Sequence, residues 1–311
     1  MTKIKPLKLK KLDIEKRIGV STHFMPATHG EDLFTAIEIT HKAGLRGFEL
    51  VPSLDQAQLG FPSNHPNVGI DLFEATDNEL ERLREALKVF DWVTIHSPHL
   101  DWNLSSANRH LRKLTWRYYD ACLEFAARIG AIAMTYHGGV QTSGYIRNDR
   151  VIDDYNVEYA KHAVGYAQEH GVPIGYEAGG LNYLKYVCDR VEGWGINLDI
   201  GHAYMRGGSD EGFFAYIDKL GDRIVEIHHN GVNHYWGKYM EHQPPHLNNM
   251  IDFQGTYTRF KELDYVGPIV CEIQGNDIKQ VIKHCLESKE MIVGIWKGNR
   301  RLSDRWNISE V

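Results

Sequence analysis

The sequence predicts a single (β/α)₈ barrel, and two observations support this fold class. Short apolar runs typical of strands alternate with amphipathic helical patterns through almost all of the 311 residues. Four of the later runs, IGYE, INLD, IVEIH and IVCE, each end in an acid or a histidine. Parallel strands in a barrel bring their carboxyl ends to one face, whereas a doubly wound open sheet, the alternative fold, gathers its ligand at one switch point.

In the first half of the chain, the strands are marked by apolar and β-branched residues between turn signals. RIGVSTHF, RGFELVP, DWVTIH and AIAMTYH predict strands at 17–24, 46–52, 91–96 and 131–137. The first helix closes at Gly44, and the second begins with a capping box of Thr76 and Glu79. Together with a third, long helix, these segments are predicted at 31–44, 76–90 and 107–129. A loop rich in Pro, Gly and Asn is predicted at 53–71.

The second half of the chain continues the alternation with shorter helices. The predicted strands are 172–177, 195–199, 223–228 and 268–273. The predicted helices are 154–171, 181–191, 212–221, 255–264 and 276–296, and a loop rich in His, Asn and Pro is predicted at 229–254. No linker interrupts the pattern, so 1–311 is predicted to be one domain with the barrel at about 17–297. A lysine-rich arm precedes the barrel and a tail follows it.

Composition and charge narrow the class of protein. Hydrophobic residues make up 42% and charged residues 24% of the chain, which is typical of a globular protein with a large core. The formal net charge of −6 argues against a nucleic-acid binder. The four cysteines show no CxxC pair, and neither a secretory signal nor a membrane span is recognised, so we expect a reduced, cytoplasmic chain. The tail would either pack on a second subunit of a homo-oligomer or fray.

The residues that end four strands predict a metal site. Side chains alternate between the two faces of a strand, so if Ile227 packs against the helices, His228 points into the barrel and His229 points out. Carboxylate and imidazole groups from separate strand ends would then converge on one divalent cation. The four predicted ligands are Glu177, Asp199, His228 and Glu272.

Three further histidines, His96, His137 and His202, also lie at strand ends and would bind a second ion or the substrate. A lone acid or histidine at a strand end is more often a cap or a surface group, but seven such residues at six successive strand ends favour a site. Glu49 is expected to make a structural hydrogen bond, and the role of His23 is left open. Weaker candidates for substrate contact are Trp102, His234, His242 and His246, with Phe24, Tyr183 and Trp236 as further aromatic wall residues.

Six motifs in order, HSPHLDWNLSS, YHGG, YEAGG, LDIGHAY, IHHNGVN and IVCEIQG, make residues 17–275 resemble the xylose isomerase-like barrel superfamily. This superfamily contains sugar-phosphate isomerases and epimerases as well as zinc-dependent type IV apurinic endonucleases. Resemblance to the isomerase branch implies that the four predicted ligands bind one Mn²⁺, Mg²⁺ or related ion. Resemblance to the endonuclease branch implies a three-zinc cluster that also uses the residues at positions 96, 137 and 202.

The endonuclease branch also needs an Asp-x-His pair and a Gly-x-Gly turn after the seventh strand. Here the sequence is EHQPPHLNNMIDF, in which Glu241 pairs with His242 or His246 at a different spacing and the glycines are absent. We therefore expect a metal-dependent isomerase or epimerase of a carbohydrate, with Glu177 and Glu272 as acid and base around an enediolate and no organic cofactor. The alternatives are a lyase or dehydratase, a multi-zinc phosphodiesterase, and a binding scaffold without catalysis.

Overall fold

Eight parallel strands close into a barrel, as the alternation of the sequence predicted. The computed structural model describes residues 8–52, 68–99, 102–138, 149–177, 179–235, 238–247 and 250–299. The barrel strands are β1 (Ile18–Ser21), β2 (Gly47–Leu50), β3 (Trp92–His96), β4 (Met134–His137), β5 (Ile174–Glu177), β6 (Gly195–Asp199), β7 (Ile224–His229) and β10 (Ile269–Cys271). They follow chain order around the ring, and β1 closes it by pairing with both β2 and β10.

Two further strands, β8 (Gly231–Tyr235) and β9 (Lys238–Gln243), form a separate antiparallel hairpin. The prediction of a loop over 229–254 is therefore wrong for this part of the chain. The hairpin strands carry polar side chains at most positions, so they lack the apolar alternation that identifies a strand. The first barrel strand is also shorter than predicted, because Thr22–Phe24 forms a 3₁₀ turn capped by Ser21. Most of the predicted loop at 53–71 lies outside the described residues.

Helices surround the barrel and lie close to their predicted positions. They are α1 (Ile14–Arg17), α2 (Leu33–Lys42), α3 (Asp77–Leu87), α4 (Arg109–Ile129), α5 (Asp149–His170), α6 (Leu181–Cys188), α7 (Ile200–Gly207), α8 (Asp210–Leu220), α9 (Phe253–Glu262) and α10 (Ile278–Trp296). The predicted capping box of Thr76 and Glu79 is present. Neither α1 nor α7 was predicted. Helix α7 follows β6 without a turn because Asp199, the last strand residue, is also the helix N-cap.

The amino-terminal end of the barrel is filled by the side chain of Trp92. A Cβ atom on Gly47 would lie 1.9 Å from the indole ring, so glycine is required there. The indole nitrogen of Trp92 donates to the carbonyl of Lys16 at 2.6 Å, which ties α1 across this end. The barrel is therefore plugged at one end and opens to its ligands at the other. None of the helices in the described part of the chain is both apolar enough and long enough to span a bilayer.

Candidate active site

A cavity of about 370 Å³ opens at the carboxyl ends of the barrel strands. This volume is within the range of small-molecule sites. The cavity combines seven acids and imidazoles of the barrel with side chains of the β8–β9 hairpin. The lining residues are His23, Phe24, His96, His99, His137, Glu177, His202, Tyr239, Met240, Glu241, His242, Glu272 and Gln274.

His228 lies under the cavity, and two glutamates converge on its ring. Its Nδ1 is 3.2 Å from Glu177 Oε1 and 3.1 Å from Glu272 Oε2, and all three side chains are buried. Asp199 is the neighbour of His228 in the β6–β7 ladder. Burial raises the pKa of Asp199, and the charges of Glu177 and Glu272 raise it further. The structure thus brings Glu177, His228 and Glu272 into direct contact and places Asp199 on the adjacent strand beside His228.

Asp199 is held in place by two hydrogen bonds. Its Oδ1 accepts from the backbone amide of His202 at 2.6 Å, and its Oδ2 accepts from Asn230 Nδ2 at 2.7 Å. A Cβ on Gly201 would lie 2.1 Å from Asn230 Oδ1, so glycine leaves room for the amide that orients the carboxylate. The first turn of α7 and the end of β7 therefore fix the direction of Asp199.

The opposite nitrogen of the His228 ring faces the barrel interior. His228 Nε2 is 3.1 Å from Glu49 Oε2 and 2.7 Å from Asn197 Nδ2. The predicted inward structural hydrogen bond of Glu49 is therefore present, and its partner is the ring of His228. Burial would lower the pKa of His228, but the carboxylates of Glu177, Glu49 and Glu272 outweigh burial and raise it well above its ordinary value.

Glu177 also contacts two of the three additional strand-end histidines. Its Oε2 lies 3.0 Å from both His96 Nε2 and His137 Nε2, and these two nitrogens are 3.2 Å apart. Burial opposes the charge on His96, but Glu177 outweighs it and raises the pKa of His96 to about 9. For His137 burial dominates and lowers the pKa to about 4. Burial raises the pKa of Glu177, yet His228 and His137 hold it well below its usual value.

Glu272 has a separate set of partners on the other side of the cavity. Its Oε1 is 2.6 Å from His23 Nδ1, and its Oε2 is 3.4 Å from His242 Nδ1. The ring of Phe24 lies 4.5 Å from the rings of both histidines and forms an apolar wall. Burial raises the pKa of Glu272, but His228 and His23 outweigh burial and hold it low. Each glutamate thus faces the cavity as a carboxylate clamped by imidazoles.

The hairpin completes the mouth of the cavity. Glu241 Oε2 lies 2.7 Å from His202 Nδ1, and His242 belongs with Asp199 and His202 to a second group whose ligand atoms lie within 4.8 Å of one another. Burial would lower the pKa of His202, but Asp199 and Glu241 raise it to about 10. Glu241 and His242 both reach His202 because β9 packs against α7, the helix that carries His202.

Several residues that were predicted to contact the substrate lie away from the cavity. Trp102 stacks on Tyr118 with ring centroids 4.0 Å apart, and His234 is exposed beside Tyr239. His246 Nε2 lies 2.8 Å from Glu287 on α10. These three are not among the described residues that line the cavity. Tyr183 packs against Tyr176, and Trp236 lies outside the described residues.

The alternation in β7 holds, because His229 points away from the cavity. Its Nδ1 is 2.7 Å from the hydroxyl of Tyr257, and its ring packs against Phe253. His99 and Gln274 line the cavity but were not predicted. His99 stacks on His137 at 4.3 Å. The signal for His99 was its place in HSPH, three residues beyond a strand-end histidine, and Gln274 shares the strand parity of Glu272.

Comparison with known proteins gives one family and several relatives. The family described as Xylose isomerase-like TIM barrel matches residues 37–289. An uncharacterized protein of Methanocaldococcus jannaschii, MJ1311, is 26% identical over 211 residues, which cover 64% of this chain and 68% of that protein. Both findings rest on sequence, and the family match spans the barrel strands from β2 to β10.

Two solved structures show the same fold at low sequence identity. A D-tagatose 3-epimerase-like protein has a TM-score of 0.71 at 22% identity, over 91% of this chain and 99% of that chain. The IOLI protein, solved with a binding zinc atom, has a TM-score of 0.65 at 14% identity, over 90% of this chain and 99% of that chain. These likenesses extend the barrel assignment over nearly the whole chain.

Proposed function

Because the chain belongs to the xylose isomerase-like TIM barrel family, we propose that it is a divalent-metal-dependent isomerase or epimerase of a sugar or sugar derivative. One observation carries the proposal: the carboxylates of Glu177 and Glu272 approach the same nitrogen of His228, at 3.2 and 3.1 Å, beneath a cavity of about 370 Å³. Such a pair offers two proton-transfer groups to one bound molecule. The resemblance to a D-tagatose 3-epimerase-like protein supports this reading.

The buried groups fit a divalent cation. Glu177 and Glu272 converge on the ring of His228, and Asp199 is buried on the adjacent strand; the groups that face the two glutamates in the described lining are histidines rather than lysines or arginines. Oxygen and imidazole donors together suit Mn²⁺, Mg²⁺ or Zn²⁺. When bound, such an ion would polarise neighbouring carbonyl and hydroxyl oxygens of the substrate and stabilise the charge of an enediolate. The residues that would hold the ion are Glu177, Asp199, His228 and Glu272.

The two glutamates would move the proton. One glutamate, as the carboxylate, removes a proton from the substrate carbon beside the carbonyl and keeps it. The other, protonated from solvent, delivers its proton from the opposite side, which inverts or relocates the centre and leaves the two side chains in exchanged protonation states. Because His228 holds both pKa values low, either glutamate can start as the base. His23, at 2.6 Å from Glu272, fixes the orientation of that carboxylate. His99 and Gln274 are placed to hydrogen-bond substrate hydroxyls, and Phe24 would cover an apolar face of the sugar.

The lining favours a neutral carbohydrate over a phosphorylated one. The described lining residues comprise imidazoles, carboxylates, an amide and apolar side chains, so the described wall offers no lysine or arginine to pair with a phosphate. We therefore infer that free ketoses and keto-sugars are the substrate class to test first.

The test is hydrogen exchange in heavy water. The protein, loaded in turn with Mn²⁺, Mg²⁺ and Zn²⁺, is incubated with a panel of free ketoses and keto-sugars, and deuterium at carbon is measured by NMR. Proton transfer through Glu177 and Glu272 predicts incorporation, with E177Q and E272Q slower by about 10²–10⁴-fold. Glu169→Gln, an exposed substitution on α5, is the matched control and should retain wild-type exchange. Absence of exchange across the metal-loaded panel would contradict the proposal, and formation of an unsaturated product would favour a dehydratase that uses the same first step.

A second candidate is a multi-zinc phosphodiesterase, and a specific contact favours it. The two histidine nitrogens and Glu177 Oε2 form a triangle with sides of 3.0, 3.0 and 3.2 Å. Ligands at about 2.0 Å from a tetrahedral Zn²⁺ lie roughly 3.3 Å apart. Asp199, His202 and His242 form a further group. Metal analysis separates the two functions: one ion in the cavity supports the isomerase, whereas three zinc ions with cleavage of abasic DNA support the phosphodiesterase.

A further inference from the structure

A second cluster of metal-binding side chains lies outside the cavity, on α10. We call it the α10 cluster; it consists of His284 and Glu287 on the helix and His246 on the segment that follows β9. Glu287 Oε2 is 2.8 Å from His246 Nε2 and 3.4 Å from His284 Nδ1. The side chains of His246 and His284 are 8% and 9% exposed, whereas Glu287 is 28% exposed. Two nearly buried imidazoles thus meet one carboxylate oxygen that still reaches solvent.

The spacing of these three donors matches a metal site. Their ligand atoms all lie within 4.8 Å of one another. The edges of a zinc tetrahedron measure roughly 3.3 Å, and the observed donor separations of 2.8 and 3.4 Å lie on either side of that value. The helix contributes two donors from neighbouring turns, because residues three apart lie on the same helix face. Two histidines and one glutamate are also a recurrent protein ligand set for Zn²⁺, with the fourth position left to water.

We propose that the α10 cluster binds one Zn²⁺ or another late first-row divalent ion. Nitrogen-rich sets favour such ions over Mg²⁺ or Ca²⁺, which prefer oxygen ligands. The ion would fasten the segment after β9 to α10. Because β9 carries Glu241 and His242 into the cavity, this fastening would hold one wall of the cavity in position.

The proposal is tested by counting zinc ions on the full-length protein. Chelator-stripped wild type, E287Q and the matched control E290Q are titrated with Zn²⁺ by equilibrium dialysis and calorimetry. Glu290 lies one turn further along α10 and is exposed, so E290Q changes the same chemistry on the same helix without touching the cluster. We expect E287Q to lose one zinc equivalent, or to bind it at least about tenfold more weakly, while E290Q matches wild type.

Two more variants separate the α10 cluster from the cavity. H246Q should lose the same zinc equivalent as E287Q, and circular dichroism will show whether each variant is folded; if E287Q fails to fold, H246Q decides. E177Q/E287Q should lose the sum of the two single losses, since separate sites are additive. If E177Q alone lost no zinc, that result would count against the proposed function and leave the α10 cluster unaffected. Wild-type stoichiometry and affinity in folded E287Q or H246Q would overturn the inference.

Discussion

The interaction of Glu49 with His228 gives the sharpest prediction about the cavity. If His228 binds an ion through Nδ1, its Nε2 must carry the proton, and Glu49 Oε2 at 3.1 Å can accept it. The amide of Asn197, whose Nδ2 lies 2.7 Å from the same nitrogen, must then turn its Oδ1 towards the ring, because two donors cannot pair. Such a carboxylate fixes the tautomer and makes the ring a stronger ligand. Because Glu49 is fully buried, water cannot replace it. We therefore expect E49Q to weaken the binding of Mn²⁺ or Zn²⁺ in the cavity.

The expected magnitude is about 10–100-fold, or about 1.4–2.8 kcal/mol of binding free energy. The assay is calorimetric titration of chelator-stripped protein at pH 7, with the binding of the α10 cluster removed by E287Q in both wild type and variant. Glutamine keeps the shape of the side chain and removes its charge, so a loss of affinity reports the carboxylate rather than a cavity in the core.

The matched control is E226Q, because Glu226 is equally buried in the same barrel interior but hydrogen-bonds Thr135 instead of His228. Burial and the charge of Glu49 raise the pKa of Glu226 to about 8, so it is already neutral at pH 7. E226Q should therefore bind metal within about threefold of wild type. Equal losses in E49Q and E226Q, or no loss in E49Q, would refute the tautomer argument.

The other predictions concern catalysis, pH and packing. Exchanging either Glu177 or Glu272 for glutamine should slow deuterium exchange by about 10²–10⁴-fold while leaving the melting temperature near that of wild type. Between about pH 4.5 and 8 only the folded chain keeps the Glu226 proton, so the free energy of unfolding contributed by this group falls as pH rises. In urea unfolding at pH 8.5, E226Q should therefore raise the free energy of unfolding by about 3–5 kcal/mol, because it removes the buried charge. At pH 4 the same substitution should change it little. Gly47→Ala should destabilise the folded protein by at least about 2 kcal/mol, because its Cβ would lie 1.9 Å from Trp92. Gly165→Ala should instead stabilise it by about 0.5–1 kcal/mol, because the added Cβ meets open space within α5. Thermal and urea unfolding that ranks these two alanines the other way would contradict the packing argument.

The barrel and the centre of the cavity were predictable because they depend on local patterns. In the sequence, a strand ends where apolar residues give way to turn residues. Because parallel barrel strands all end at the same face, the residues at these positions come together. Alternation along β7 was enough to separate His228 from His229. Asp199 and Glu272 needed no further information than their places at the ends of their strands.

The hairpin could not be predicted in the same way. Its partners are set by contacts between segments that are distant in sequence, such as Glu241 with His202 and the amide of Gln274 with the carbonyl of His242. These contacts leave no periodic pattern. His246 shows the same difficulty, since its neighbourhood is decided by α10 rather than by the histidine-rich segment to which it belongs. Proximity in sequence suggested one cavity for His234, His242 and His246, but only His242 lines it.

Within the residues that the structure describes, the hairpin has its own two-stranded sheet and pairs with no barrel strand. Its tip can therefore be shortened, lengthened or exchanged between relatives without shifting the register of any barrel strand. The side chains of Tyr239 and Met240, 55% and 43% exposed, lie beside that tip and also line the cavity. Changes in this short segment alone could alter which small molecule binds in the cavity. The same segment is therefore the first one to vary when the barrel is redesigned for a different ligand.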